Sequence, residues 1–151
     1  MQTGGEVDLV VSNPPYLKVN AGRSNNAPEK EIARHEVCGD ILDFCAAASR
    51  LLKTKGRFAC VYRSERTVDL LDAMRRCRLE PKRMVTVHAD TKSAPSMVLV
   101  EAVKDASPAL SILPPLFLYA DGTAAEKARP LTPEAEEIYK TCLFPLGGQN
   151  Q

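Results

Sequence analysis

Apolar residues along this chain fall into short unbroken runs that alternate with stretches of helical spacing. Val7 to Val11 is one such run, broken only by Asp8 and closed by Ser12-Asn13-Pro14-Pro15. A strand buried on both faces need not alternate, so the run predicts a buried strand. Two consecutive prolines cannot continue a ladder, and the strand must stop there. Next, Ile41, Phe44, Cys45, Ala48, Leu51 and Leu52 recur at helical spacing. Asp40 lies in the opening turn and Gly56 just past the end, which predicts a helix over about residues 38–53. Arg57 to Tyr62 is the next strand. Ser64 is placed to cap a second helix, with Val68, Leu71 and Met74 on its inner face and Pro81 beyond its end. Lys82 to His88 and Met97 to Val103 predict a third and a fourth strand, paired antiparallel through Ala89–Ser96.

The remaining segments carry weaker signals. Leu113 to Tyr119 reads as a short edge segment, because Pro114 and Pro115 argue against a central strand. Thr132-Pro133-Glu134 is a helix start, with a capping hydroxyl, a proline at the first helical position and then a carboxylate. Ile138 and Cys142 would face inward from that helix. Lys18 to Lys30 is polar and without period, which predicts a long surface loop, and Gly147 to Gln151 reads as a frayed tail. The order is strand, helix, strand, helix, strand, strand. That order predicts an α/β fold, a parallel sheet finished by an antiparallel hairpin. Ligands in such sheets bind outside the carboxyl ends of the strands, where Asn13 to Tyr16 falls.

Bulk properties narrow the setting. A chain of 151 residues, 44% hydrophobic and 26% charged, suits one domain with a core. With 20 basic and 19 acidic residues, any electrostatic footprint for a polyanion must be local. The densest basic cluster is Arg75, Arg76, Arg78, Lys82 and Arg83. It reads first as a solvated helix end and second as a phosphate contact. The five cysteines are odd in number and never spaced as Cys-x-x-Cys. This predicts reduced thiols in the cytoplasm, without disulfides and without a metal site. The first residues lack a basic and apolar signal pattern, and no apolar run approaches a membrane span.

Asn13-Pro14-Pro15-Tyr16 carries the chemistry. An exocyclic amine on an aromatic ring is a poor nucleophile, because its lone pair is delocalised. Two acceptors on its hydrogens push the nitrogen toward a tetrahedral shape and direct the lone pair to one side. The Asn13 side chain supplies one carbonyl oxygen and the Pro14 backbone the other. Consecutive prolines hold that backbone carbonyl in place. Tyr16 offers a flat face for stacking, worth ~1–3 kcal/mol in single-strand binders. The bland alternative is a proline turn that ends a strand, since Asn-Pro is a common turn initiator. His35 reads either as a base or phosphate contact near a site, or as a helix-entry residue.

Asp8 to Tyr16 is similar to motif IV of class I methyltransferases that use S-adenosylmethionine on planar amino groups. Further stretches sharpen the likeness: Ala33-Arg34-His35-Glu36, Ala47 to Lys53 leading into Gly56-Arg57-Phe58, Arg78 to Arg83, Val98 to Ala102 and Leu113 to Leu116. Together they resemble the bacterial valine-tRNA adenine-N6 methyltransferases, from about Glu6 to Tyr139. The resemblance implies the C-terminal half of a Rossmann-like class I sheet. It implies N-methyl transfer from S-adenosylmethionine to adenine in tRNA. Asn13, Pro14 and Tyr16 take the catalytic positions, Asn13 also borders the donor, and Pro15, Arg34 and His35 contact substrate. Glu36 matches the family without an assigned role. Such families begin with a Gly-rich turn after a first strand, whereas Gly4 and Gly5 here precede it.

These points set further expectations. Residues 1–143 are expected to form a partial methyltransferase domain, from motif IV onward, and 144–151 a flexible tail. The isolated chain is expected to be inactive, with the donor half supplied elsewhere. An open edge on the strand at residues 7–11 would allow a homodimer. Two other functions fit the tetrapeptide: methylation of a protein glutamine or of guanine, and a non-catalytic binding fragment.

Overall fold

The computed structural model describes residues 5–15, 40–121 and 129–141. Within them lie β1 (Val7–Ser12), α1 (Ile41–Leu51), β2 (Leu52–Arg63), a 3-10 turn (Ser64–Arg66), α2 (Thr67–Arg76), β3 (Leu79–His88), β4 (Pro95–Lys104), β5 (Ser111–Ile112), β6 (Leu116–Phe117) and α3 (Pro133–Thr141). They form one mixed sheet in the order β1-β2-β4-β3-β5, with β6 also on β3. β1 and β2 are parallel, while β4 runs antiparallel to both β2 and β3. The expected hairpin of the third and fourth strands is present. Its second arm, however, is inserted between β2 and β3 instead of lying at the edge.

Local chemistry sets the helix boundaries. Asp40 caps α1 by accepting from Ile41 N at 2.6 Å, and the Asp43 carboxylate accepts from Asp40 N at 3.2 Å. This capping box starts the helix at Ile41, later than residue 38. At the other end the Lys104 ammonium donates to the Ser49 and Leu52 carbonyls at 2.6 and 2.8 Å. A cation there satisfies terminal carbonyls and suits the helix dipole. Leu52 turns extended directly, so β2 begins there and Gly56 lies inside the strand, not past a helix end. A Cβ on Gly5 would collide with the Leu51 and Leu52 carbonyl oxygens, so only glycine lets the chain enter β1 beside that junction.

The second helix differs from expectation in two ways. Ser64 does not cap it; its hydroxyl donates to the Pro95 carbonyl at 2.5 Å and ties the 3-10 turn to β4. Its inner face is Leu70, Ala73 and Met74, while Val68 is 79% exposed. Pro81 sits within β3, at a break in register between Pro81 and Arg83, where a strand tolerates a missing donor.

Alternation along the strands divides the apolar residues between two faces. On one face Phe58, Cys60, Val98, Val100 and Ala102 pack under α1 and α2. Burial pushes the Cys45 and Cys60 thiols up to about 12. These and Cys77 are free thiols. On the other face Val85, Val87 and Leu116 gather Leu99, Leu113 and Ile138 around them. Thr132 caps α3 as expected, accepting from Ala135 N at 3.1 Å. Ile138 turns inward, while Cys142, the loop at 18–30 and the tail at 144–151 fall outside the described residues.

β1 overturns one expectation. The apolar run predicts a buried strand, yet Val7, Leu9 and Val11 are 38%, 48% and 70% exposed. Among the described residues β1 has a strand partner on one side only, and no helix covers its second face. No helix among the described residues is long and apolar enough to cross a membrane.

Candidate functional site

Parallel pairing brings the ends of β1 and β2 to one rim. The register runs from Leu9↔Arg57 to Ser12↔Cys60 without a break. Two residues further along each strand stand Pro14 and Tyr62. β3 ends and β4 begins at the same rim, with His88 opposite Pro95. Asn13 is exposed there, Pro14 is buried and Pro15 is exposed. A buried proline fixes the backbone on which Asn13 is presented, since its φ is locked and its ring is packed. The site is therefore a polar side chain and a backbone carbonyl held on a rigid strand end. That pair is suited to accepting two hydrogens of one amine.

Tyr16, Arg34 and His35, with Glu36, lie outside the described residues. The structure thus brings together Asn13, Pro14 and Pro15 from the expected set. Tyr62 also stands at this rim, packed against the core at the end of β2, a placement that the linear pattern of the strand does not show. Burial raises the Tyr62 hydroxyl above its ordinary value, Arg66 opposes this, and Asp40, Asp69 and Cys60 add to it. The phenol therefore stays protonated at neutral pH and keeps a donor hydrogen at the rim.

The described rim offers little to a nucleoside donor. β1 ends in Ser12 and β2 in Arg63, so no glycine-rich turn follows either strand. Among the described residues, no group of three or more His, Cys, Asp or Glu is arranged to hold a metal ion.

The basic cluster lies at the opposite rim, around the end of α2 and the start of β3. Arg75 pairs with Glu80 at 3.3 Å, Arg76 with Asp72 at 3.7 Å and Arg78 with Asp105 at 2.7 Å. Lys82 donates to the Ser107 carbonyl at 3.0 Å. Arg83 grips Glu101 with two nitrogens, at 3.1 and 2.8 Å. This is the solvated and paired reading of the cluster, with each arginine already facing a carboxylate.

A trough of about 220 Å³ opens on the sheet face away from α1 and α2. Val11, Ala59, Val61, Leu99 and Leu113 line it, with the Arg83–Glu101 pair at one side. Its lining is mostly apolar and both oxygens of its one carboxylate, Glu101, are engaged by Arg83, so it is not the candidate site.

No family model matches the chain. Curated relatives do. The tRNA1(Val) (adenine(37)-N6)-methyltransferase of Aeromonas salmonicida is 46% identical over 54 residues, which is 36% of this chain and 22% of that protein. The protein of the same name from Porphyromonas gingivalis is 33% identical over 96 residues, 62% of this chain and 36% of that protein. The chain thus spans about a third, at most, of the length of the curated relatives it matches. The crystal structure of a predicted O-methyltransferase from Agrobacterium tumefaciens superposes with a TM-score of 0.67 at 18% identity. That superposition covers 92% of this chain and 53% of the other. The sheet is accordingly Rossmann-like, part of the fold seen in that structure, and over part of its length the chain is similar in sequence to a portion of the tRNA1(Val) (adenine(37)-N6)-methyltransferases.

Proposed function

We propose that this chain forms the acceptor side of an S-adenosylmethionine-dependent methyltransferase acting on the exocyclic amine of adenine in tRNA, in the cytoplasm. The observation that carries this reading is the rim position of Asn13 on the buried Pro14, at the carboxyl end of a parallel strand. The curated relatives' names supply the substrate class. Asn13 accepts one amine hydrogen through its side-chain oxygen, and the Pro14 carbonyl accepts the other. The lone pair is thereby turned to one side of the base. Catalysis of this kind is positioning and electrostatics, without a strong general base. The methyl group comes from S-adenosylmethionine, whose binding half is proposed to lie in sequence outside these residues, with Asn13 at its border. Tyr16 is assigned to stack on the base, and Pro15, Arg34 and His35 to contact the tRNA. An adenine stacked in a loop has to be turned out to reach such a rim.

The test uses a longer polypeptide that carries both halves, with labelled donor and separate pools of tRNA, ribosomes and protein. Label is expected in tRNA adenine. Asn13→Ala is expected to lower turnover by roughly a hundredfold or more, the scale of losing one transition-state hydrogen bond. Unchanged turnover in that variant removes Asn13 from the role. Label in protein glutamine or in guanine moves the acceptor. Calorimetry with S-adenosylmethionine is expected to give no heat for the 151-residue chain and binding for the longer one. Absence of binding by both leaves a non-catalytic fragment.

A further inference from the structure

An RNA loop brings phosphates along with the base that it presents. Holding them takes cations that the protein has not already neutralised. Among the described residues, the Lys and Arg side chains without a carboxylate or backbone carbonyl partner are Arg50 and Lys92. Arg50 stands in the last turn of α1, where β2 begins, on the rim opposite Asn13. Lys92 is exposed in the turn between β3 and β4, on the Asn13 rim. The other described cations of that rim are taken: Arg63 by Glu65 at 2.7 Å, Arg66 by Asp69, and Arg129 by Asp90 at 2.6 Å.

The turn that carries Lys92 is fixed by its neighbours. His88 Nδ1 donates to the Ser93 carbonyl at 2.8 Å. Asp90 Oδ1 accepts from the Lys92 N–H at 3.1 Å and from the Ser93 hydroxyl at 2.7 Å, while Oδ2 takes Arg129. The Thr91 N–H and hydroxyl both donate to Asp121, which pairs with no cation and spends one oxygen on each. The Ser64 hydroxyl ties Pro95 to the end of β2. Thr91 and Ser93, on either side of Lys92, thus turn their side chains to the fold, and the Lys92 ammonium is left to solvent.

β1 and β3 are separated by β2 and β4, so the turn lies roughly 14 Å along the rim from the end of β1 at ordinary strand spacing. We infer that Lys92 is a backbone contact for the acceptor RNA, meeting a phosphate a few nucleotides from the base held at Asn13. The inference rests on the tRNA reading above for the identity of the polyanion. Lysine is a compact point charge and reads no base edge, so the contact sets the position of the strand and not its sequence. A turn already held by its own hydrogen bonds loses little freedom on contact. Lys92 touches neither the amine nor the donor, which makes it a positioning residue.

The experiment measures tRNA methylation by the longer polypeptide over a salt series. Lys92→Ala is expected to raise KM for tRNA roughly threefold to tenfold at low salt and to leave kcat unchanged. The fall of log(kcat/KM) with log salt is expected to become shallower by about 0.7 to 0.9, the loss of one phosphate contact. Lys92→Arg is expected to restore both values, which a merely structural role would not predict. Arg50→Ala, which removes the other unpaired cation from the far rim, is expected to move neither. Label entering tRNA adenine with KM and salt slope unchanged in Lys92→Ala overturns this inference and leaves the reading beneath it standing. Equal effects of Lys92→Ala and Arg50→Ala overturn it as well, since net charge would then account for both. No label in tRNA from the unaltered polypeptide removes the reading, and this inference with it.

Discussion

At one end of the sheet β3 is flanked by two short strands and roofed by α3, while among the described residues at the other end β1 has one strand neighbour and a helix, α1, on one face only. Both ends are built from valine-rich strands. Val85 and Val87 are 3% and 7% exposed, whereas Val11 is 70% exposed. The difference is not one of residue type. It lies in what the chain places beside each strand. The β3 end is closed by residues that follow it in the sequence, through Leu113, Leu116 and Ile138. Among the described residues, β1 is covered on the Val10 face by α1 and left open on the face of Leu9 and Val11, although its apolar content is that of a strand covered on both. Apolar runs therefore record a demand for burial, and the neighbours decide whether it is met.

This contrast can be broken by mutation. Phe58 is fully buried beneath α1 and α2, and Phe58→Ala is expected to cost about 3–5 kcal/mol in denaturant unfolding. Val11→Ala is expected to change stability by no more than ~0.5 kcal/mol, as for exposed positions generally. Equal costs at the two sites would mean that β1 is covered in solution. A smaller effect sharpens the finished end. Thr132 caps α3 and also donates to the Phe117 carbonyl at 2.7 Å, so Thr132→Ala is expected to cost ~1 kcal/mol. Hydrogen exchange in α3 should rise while that in α1 does not.

The smallest effect is one of pH. Asp90 accepts from Ser93 at 2.7 Å and from Arg129 at 2.6 Å, and these bonds hold its carboxyl below the ordinary 3.8. A lowered folded value means that the contribution is present above 3.8 and lost as pH falls through that lowered value. Exchange at residues 129–132 is expected to accelerate in that acid window and to stay constant from neutral pH down to it. Acceleration at neutral pH would show that the Arg129 tie does not hold the segment.

Much of the architecture was legible because it depends on neighbours in sequence. Asp40 with Asp43 marks the start of α1, Thr132-Pro133 marks α3, and the prolines after Asn13 end β1. Each of these is a contact within a few residues, which a linear reading can see. The proposed acceptor pair Asn13 and Pro14 was legible for the same reason, since both groups belong to one strand end. Tyr62 was not, because it reaches the rim only through the parallel register of β1 with β2.

Other features were outside any local reading. The insertion of β4 between β2 and β3 depends on two ladders, Arg57↔Val103 through Arg63↔Met97 and Leu79↔Lys104 through His88↔Pro95. A hairpin at the sheet edge would have the same sequence pattern. Met74 is buried and Leu71 packs against the core as their spacing predicts, but the rotation of α2 on the sheet leaves Val68 exposed and adds Leu70 and Ala73 to the inner face. The sequence by itself determined most of the strands and helices and the caps at Asp40 and Thr132, and it singled out the tetrapeptide proposed to hold an amine. Those depend on backbone sterics, capping hydrogen bonds and side-chain type. Only the tertiary structure decided the strand order, the pairing of the basic cluster and the exposure of β1, because burial and ion pairing belong to whatever stands alongside in space.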